Sequence, residues 1–398
     1  LISADNTWVL WGLLVGDAAL AIWLEQKFKW ASKITGCVLA LLGMMILSNV
    51  GIIPTESPVY DSVWSYVVPL AIPLLLFQCN IKKIGKESGK LLIIYLISSV
   101  GTVLGALGGF FALNKFVPNL NKVAAMFSGT YVGGSVNFAA MADTFGASGE
   151  LSSQAVVADN LLMAAYFFVL IACAGSKFFR KHFSHPHIAE VEAGASKEVA
   201  QTQAAAFWSR KDISLKDIAY NFAYAIVVVW VSRIISGIFS GIGGNPFLDF
   251  IGQFFGSQYV WITTISVIVA TFCTKTVSKM HGSQEIGTYL IYLFLFVIGV
   301  PANIMTVLTK SPLLLVLTTI MVLVNMLFCF GAAKIFKASL EDSIIASNAN
   351  IGGPTTAAGM AISQGWTRLV GPAMLVGVLG YVIGNYAGTL VGIILGAA

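Results

Sequence analysis

The stretches SGTYVGGSVNFAAMA at residues 128–142 and SNANIGGPTTAAGMA at residues 347–361 determine the predicted fold. They share six of fifteen positions, including a Gly-Gly pair, at a constant offset of 219 residues. Each lies within an apolar stretch that would otherwise continue as one helix. A glycine pair favours a break there, because glycine adopts backbone conformations that a helix does not use. We therefore predict two broken segments, at 123–145 and 340–363, that are copies of one internal repeat.

The composition restricts the class of protein. Of 398 residues, 57% are apolar and only 10% are charged, and the mean hydropathy is +0.84. A soluble domain carries about 25% charged residues. These values exclude a soluble enzyme, a nucleic-acid-binding protein and a disordered scaffold. They predict an all-α polytopic protein of the cell (inner) membrane.

Ten apolar runs approach or exceed the roughly 20 residues that a helix needs to cross a bilayer. They are residues 7–24, 34–53, 62–79, 91–113, 154–176, 217–240, 258–274, 287–308, 312–333 and 369–395.

The positions of the basic residues indicate the orientation, because short loops rich in Lys and Arg remain cytoplasmic. If both broken segments are re-entrant hairpins and the N-terminus is outside, the outside loops hold only Lys115, Lys122 and Lys310. If both segments crossed the membrane, the basic residues would be spread over the two sides. We therefore predict that both termini are outside and that the polar linker 177–216 is cytoplasmic.

This topology makes the two halves inverted copies of each other. The first half, 1–176, contains five transmembrane helices and the re-entrant hairpin 123–145. The second half, 217–398, contains five more and the hairpin 340–363. One hairpin then enters the membrane from each side, and their tips are expected to meet near its centre.

The hairpin tips are the predicted binding site. Irregular backbone at membrane depth persists only where it faces protein or a water-filled cavity, and carriers with inverted repeats bind solute and ions there. Helices starting near the two tips present N–H groups to an anion, while carbonyl and hydroxyl oxygens suit Na⁺. The alternative is that these residues only cap broken helices. The candidate binding residues are Thr130, Gly133, Gly134, Ser135, Asn137, Asn348, Asn350, Gly352, Gly353, Thr355 and Thr356.

Four ionisable residues fall inside apolar segments, where such groups are costly and often functional. They are Asp17, Asp143, Asp159 and Arg233. Asp159 and Arg233 lie at similar predicted depth and are a candidate charge pair, although Arg233 can instead extend to the outer surface. The three aspartates are the candidates for proton coupling if the coupling ion is H⁺.

The whole chain resembles the YjcL-like family of uncharacterised bacterial and plastid membrane proteins, a domain-of-unknown-function family. The segments GTYVGGSVNFAAMAD and NANIGGPTTAAGMA carry the resemblance. The architecture is similar to that of the glutamate:sodium, 2-hydroxycarboxylate and bile-acid:sodium symporters. This similarity implies inverted repeats with broken or re-entrant segments around a central site.

We therefore expect a secondary active transporter, not an enzyme, that moves a small anionic organic solute. The expected coupling ion is Na⁺, with H⁺ as the alternative, and no other cofactor is expected. A channel and an intramembrane enzyme using Asp143 and Asp159 are less favoured alternatives. No GxxxxGK[ST] motif occurs, which argues against ATP coupling within this chain. The expected partners are the solute, the lipid bilayer and a second copy of the chain in a homodimer, with no nucleic acid.

Glycine recurs at every fourth residue of the last apolar run. These residues, Gly380, Gly384, Gly388, Gly392 and Gly396, lie on one helical face. Small residues at this spacing allow close helix packing. The face therefore provides either an internal packing surface or a dimer contact.

The orientation can be tested by labelling a cysteine introduced near Ala195 in a variant that lacks the native cysteines. We expect a membrane-impermeant maleimide to react only in permeabilised cells, because the linker is predicted to be cytoplasmic. Labelling in intact cells would contradict both the topology and the inversion of the two halves.

Overall fold

A computed structural model with side chains gives the fold of the protein. It describes residues 2–28, 36–77, 79–193, 212–277, 279–300 and 304–397. Within those ranges the regular structure is helical, apart from one isolated bridge between Ser184 and Ser339.

Eighteen α-helices, numbered in chain order, make up the described part of the chain. They are α1 (Thr7–Lys27), α2 (Gly36–Asn49), α3 (Pro58–Leu76), α4 (Ile81–Glu87), α5 (Gly89–Leu113), α6 (Leu120–Gly133), α7 (Ser135–Thr144), α8 (Gly149–Gly175), α9 (Lys177–His182), α10 (Pro186–Glu192), α11 (Leu215–Phe239), α12 (Pro246–Gly256), α13 (Gln258–Phe272), α14 (Thr274–Val277), α15 (Ser283–Gly299), α16 (Ile304–Phe336), α17 (Leu340–Ser363) and α18 (Val370–Ile394).

Seven of these helices contain a segment long and apolar enough to cross a bilayer, and they coincide with seven of the ten predicted spans. They are α1, α3, α5, α8, α11, α16 and α18. Large apolar side chains on them point outward, such as Phe168 (72% exposed) and Leu327 (70% exposed). Since apolar side chains exposed in this way suit lipid, the predicted all-helical membrane class is confirmed.

The other three predicted spans are shorter or bent. The run 34–53 yields α2, of 14 residues, and its start lies outside the described residues. The run 258–274 yields α13, which meets α12 at a 63° bend, and this pair is an eighth candidate span. The run 287–308 yields α15, which ends before Pro301, and residues 301–303 are not described. The described residues therefore do not contain the ten full-length spans that the sequence predicts.

The first Gly-Gly segment folds back on itself. Helix α6 ends at Gly133, and Gly134 takes φ 90° and ψ 171° before α7 begins. Asn137 Nδ2 donates to the Gly129 carbonyl at 3.2 Å, and Met141 Cγ lies 3.0 Å from the Cβ position of Gly129. Residues twelve apart in a continuous helix would be about 18 Å apart along its axis. We call residues 120–144 hairpin A.

The second Gly-Gly segment folds back in the same way. Gly353 takes φ 80° and ψ −170° within α17. Asn348 Nδ2, in the first arm, donates at 3.4 Å both to the Thr356 carbonyl and to Met360 Sδ, in the second arm. The hydrogen-bonded positions 348 and 356 are equivalent to 129 and 137 of hairpin A. We call residues 340–363 hairpin B.

The last helix packs its glycine face against hairpin A. A Cβ at Gly388 would lie 2.6 Å from Met141 Sδ and 3.0 Å from the Ala125 carbonyl oxygen, and a Cβ at Gly392 would collide with the Phe145 ring. Gly380 and Gly384 are in similarly close contact with hairpin A. Gly380, Gly384, Gly388 and Gly392 are therefore packed inside the protein and do not supply the contact surface of the predicted homodimer, whereas Gly396 follows the end of α18 and is exposed.

The packing predicts a large effect of valine at Gly384. Its Cβ would collide with Asn137 Nδ2 and the Gly129 carbonyl oxygen, which forces α18 away from hairpin A. We expect Gly384→Val to lower stability by at least the 1–3 kcal/mol that overpacking typically costs, seen as a lower Tm in detergent. Gly108→Val is the matched control, since no atom lies within 4 Å of its Cβ position. Equal melting temperatures for the two variants would contradict this packing.

Candidate functional site

The two hairpin tips touch each other through backbone. A Cβ at Gly134 would lie 3.5 Å from Gly353 Cα, and a Cβ at Gly353 would lie 3.5 Å from Gly134 Cα. Both residues have a positive φ with an extended ψ, a region that is essentially restricted to glycine. The chain reversal therefore requires glycine at both positions, and a Cβ at either one would already be in van der Waals contact with the opposite tip.

The contact lies about a third of the way along a membrane-length helix. Gly133 packs on the Gly380 backbone of α18, and Pro354 packs on Gly377. At 1.5 Å per residue these positions are about 10–15 Å along a helix of about 37 Å. The tips therefore meet beside the body of a helix long enough to cross a membrane, away from both of its ends.

A buried asparagine joins hairpin B to α5. Asn350 is fully buried, and its Nδ2 donates to Ser98 Oγ at 2.9 Å and to the Tyr95 carbonyl at 3.2 Å. Its Oδ1 accepts from Ser99 Oγ at 2.8 Å. Because all of these groups are buried, each bond satisfies an atom that would otherwise be costly to bury.

A second buried asparagine extends this network to α16 and α8. Asn325 Nδ2 donates to the Ser98 carbonyl at 3.1 Å and to Thr102 Oγ1 at 2.9 Å. Its Oδ1 accepts from Ser347 Oγ at 2.6 Å, and the Tyr166 hydroxyl bonds to the same serine. Four helices are therefore connected through hydroxyl and amide groups beside the tips.

Hairpin A is held by the same face of α5. The Tyr95 hydroxyl donates to the Val132 carbonyl, and Thr102 Oγ1 donates to the Tyr131 carbonyl at 3.3 Å. The α5 side chains of both networks were not among the predicted site residues. Their spacing at Tyr95, Ser98, Ser99 and Thr102 is a detectable signal, since it forms a polar stripe on an otherwise apolar helix.

Some predicted site residues are engaged in structural bonds. Thr130 Oγ1 donates to its own helix at the Met126 carbonyl, 2.9 Å away. Asn137 Nδ2 is shared between the Gly129 and Gly380 carbonyls, both at 3.2 Å. Asn350 belongs to the network with α5. These side chains hold the tips in place.

Other predicted residues are available to a ligand. Ser135 and Thr355 are exposed although their neighbours at the tips are buried, and Thr356 is partly exposed. Thr356 Oγ1 donates to the Gly353 carbonyl at 3.1 Å, which leaves its lone pairs free. Asn348 is buried, and its Oδ1 makes no hydrogen bond in the described part of the chain.

Two of the four ionisable candidates lie away from the tips. Asp17 Oδ1 is 2.6 Å from the Cβ position of Gly43 in α2, so this carboxylate lies between α1 and α2. Asp143 ends hairpin A, and its Oδ2 accepts from the Tyr259 hydroxyl at 2.8 Å and from Gln258 Nε2 at 3.4 Å.

The predicted pair of Asp159 and Arg233 is not formed. No ion pair joins the two side chains, both of which the structure describes. Arg233 is exposed on α11, and its charge acts on Asp143 and Tyr259. Asp159 instead faces the Tyr131 hydroxyl. Because of how α8 and α11 are rotated about their axes, the side chains of Asp159 and Arg233 face different neighbouring residues.

Residues 177–193, the part of the linker before residue 194, contact hairpin B. Ile188 N donates to Glu341 Oε1 at 2.7 Å, and Leu340 N donates to the Ser184 carbonyl at 2.8 Å. Residues 194–211, with the labelling position Ala195, lie outside the described residues.

A surface cavity of about 350 Å³ lies at the other end of hairpin A. Thr144, Phe145, Asp249, Gln253 and Ser257 are among its lining residues, and no basic side chain lines it. The Asp249 carboxylate lines this cavity, whereas the tips carry no acidic side chain, so an anion is less favoured in the cavity than at the tips.

The backbone conformation of Gly353 predicts opposite effects of two alanine substitutions. Gly353→Ala forces a side chain into a positive-φ conformation, which costs about 1–3 kcal/mol, so we expect a lower Tm. Gly359→Ala in the same hairpin is helical with open space around it. It should raise stability by about 0.5–1 kcal/mol. Thermal unfolding that ranks the two variants in the opposite order would contradict the described tip.

Comparison with known proteins agrees with the family resemblance of the two Gly-Gly segments. Residues 12–398 match the family described as protein of unknown function (DUF819). The chain is also 50% identical over 392 residues to the uncharacterized membrane protein YjcL of Bacillus subtilis (strain 168), covering 98% of each chain. The chain belongs to the DUF819 family of membrane proteins.

Proposed function

We propose that this protein is a secondary active transporter that couples the movement of a small anionic organic solute to an ion gradient. The observation that supports this most directly is the backbone contact between the tips of hairpins A and B in the interior of the protein. Broken helices that meet at membrane depth are where carriers with inverted repeats bind their substrates.

The tip contact suits a movable gate. The two tips meet through the glycine backbones of Gly134 and Gly353, and no hydrogen bond within the described residues joins hairpin A to hairpin B. The contact between the tips can therefore open without breaking a hydrogen bond between the hairpins, but a hairpin that moves away from α5 must exchange its bonds to Tyr95, Ser98, Ser99 or Thr102 for new partners. In the proposed inverted arrangement of the two halves, each hairpin opens the site to one side of the membrane.

The chemistry of the tips favours an anionic solute. Helix α7 begins at Ser135 with no side-chain cap, so its first N–H groups are available. The second arm of hairpin B begins just after Gly353. Each helix N-terminus acts as about half a positive charge, so two of them can offset one carboxylate. Segments 123–142 and 343–362 contain no Lys, Arg or His that could do so instead.

We favour Na⁺ as the coupling ion because uncharged oxygens dominate the surroundings of the tips. Hydroxyl, amide and carbonyl oxygens are ligands of hard cations. A proton would instead need a carboxylate. The tip segments 123–142 and 343–362 carry none, and Asp159, which faces Tyr131 beside the tips, is the candidate for the H⁺ alternative.

Uptake by purified protein in liposomes tests this proposal. We expect saturable uptake of at least one carboxylate-bearing solute, from a panel of carboxylates, amino acids and short peptides, with an inward Na⁺ gradient. Thr356→Ala should raise the apparent KM several-fold, because its hydroxyl lies at the tip. Thr319→Ala is the matched control, since the Thr319 hydroxyl bonds only to its own helix, at the Leu315 carbonyl. Gly134→Val and Gly353→Val should abolish uptake while the protein is still produced.

Three outcomes would contradict parts of the proposal. Flux that rises linearly with solute concentration would indicate a channel. Uptake that is unchanged when choline replaces Na⁺ but abolished by collapse of the proton gradient would indicate H⁺ coupling. Normal uptake by both valine variants would show that the tips are packing elements, and the exposed Arg233 would become the better candidate for the anion site.

A further inference from the structure

Asp159 is the one charged residue within the apolar segments that surround the tips. These segments are residues 91–113, 123–142, 151–176, 312–333, 343–362 and 369–397, and they contain no Lys, Arg or His. A carboxylate in such surroundings has no counter-charge from the protein. An isolated buried charge is costly, so an ion from solution can stabilise it.

The surroundings of Asp159 contain unpaired oxygen atoms. Tyr131 is fully buried in hairpin A, and its hydroxyl faces the Asp159 carboxylate and Thr318. Neither the Tyr131 hydroxyl nor Asp159 Oδ1 makes a hydrogen bond within the described chain, although both atoms are buried. Thr318 Oγ1 donates its proton to the Leu315 carbonyl at 3.0 Å, which leaves its lone pairs free. The Tyr131 hydroxyl therefore lies against the Asp159 carboxylate and Thr318, in contacts that leave this hydroxyl and Asp159 Oδ1 without a well-formed hydrogen bond.

We propose that Asp159, Tyr131 and Thr318 form a binding site for Na⁺. This inference rests on the proposed transport function and identifies where the coupling ion binds, beside the tips and not at them. The carboxylate supplies the negative charge, and the two hydroxyl oxygens supply further ligands of the kind that hard cations prefer.

The charge of the site favours a monovalent cation. One carboxylate neutralises one Na⁺, so the occupied site carries no net charge in the protein interior. A divalent cation would leave an uncompensated positive charge there, which is costly in surroundings of low polarity.

The position of the site would link ion binding to both hairpins. Tyr131 belongs to hairpin A, three residues before Gly134. Asp159 belongs to α8, and one turn further on Met163 Cε lies 2.8 Å from the Cβ position of Gly352 in hairpin B. The Tyr166 hydroxyl of the same helix bonds to Ser347 of hairpin B. An ion that fixes Tyr131 against α8 therefore also fixes hairpin A relative to hairpin B.

Na⁺ binding to the purified full-length protein tests the site without any solute. Binding is measured with ²²Na⁺ and by Na⁺-dependent thermal stabilisation, with choline keeping the ionic strength constant, because a ligand of the native state raises its stability. We expect saturable binding to the wild type that Mg²⁺ does not compete for. Asp159→Asn should abolish it, and Tyr131→Phe and Thr318→Val should each weaken it at least fivefold.

Two controls separate loss of the site from general damage. Thr319→Val removes a neighbouring hydroxyl that bonds to the same Leu315 carbonyl, and Asp61→Asn removes an exposed carboxylate. Both should bind Na⁺ within twofold of the wild type. If Asp159→Asn does not fold, the comparison of Thr318→Val with Thr319→Val decides the question. Unchanged Na⁺ binding in Asp159→Asn, equal effects of the two threonine variants, or no Na⁺ binding by the wild type would overturn the site.

The experiments can reject the proposed Na⁺ site and the proposed transport function independently of each other. Saturable Na⁺ binding that requires Asp159, together with no uptake of any solute, would support the proposed Na⁺ site and contradict the proposed transport function. If the wild type shows Na⁺-driven uptake but the Asp159→Asn variant still binds Na⁺, the transport function is supported and the coupling ion binds at another site.

Discussion

The close approach of Gly134 and Gly353 is the contact on which the rest of the structure depends. Two helices are interrupted at positive-φ residues, and the buried glycines at the two interruptions touch each other. A side chain at either position would strain the backbone, and one larger than alanine would also separate the tips, because a Cβ there already lies at contact distance, 3.5 Å, from the opposite glycine. The glycine face of α18 follows from the same requirement, because hairpin A can reach the centre only if the helix beside it has no side chains in the way.

Interrupting a helix in the membrane interior leaves backbone groups without their usual partners, and the polar stripe of α5 compensates for this. Tyr95 and Thr102 bond to carbonyls at the end of α6, while Ser98 and Ser99 hold Asn350 of hairpin B. Since hydrocarbon offers no alternative partner, these bonds stabilise one arrangement of the hairpins. The exposed hydroxyls of Ser135 and Thr355 are not used in this way, which supports a role in binding.

The distribution of charge agrees with a site that handles ions of both signs without a buried ion pair. The hairpins contain no basic residue near their tips, so in the proposed function helix N-termini stabilise the anion. Asp159 contacts no basic side chain in the described structure, so in the proposed site a bound Na⁺ balances its charge. Such an arrangement leaves the empty site electrostatically incomplete.

Much of this organisation could be predicted from the sequence, because it depends on local composition and spacing. The membrane class followed from the low charge content, the two broken segments from their Gly-Gly pairs, and the close-packing face of α18 from glycine at every fourth residue. Contacts between distant residues could not be predicted, because they depend on how each helix is rotated about its axis. That rotation directs Asp159 to Tyr131 and not to Arg233, and it turns Ser98, Ser99 and Thr102 toward the hairpins. It also turns the glycine face inward, away from a dimer partner. Only the tertiary structure decides these pairings, because they lie up to about 250 positions apart along the chain, beyond the reach of any local pattern.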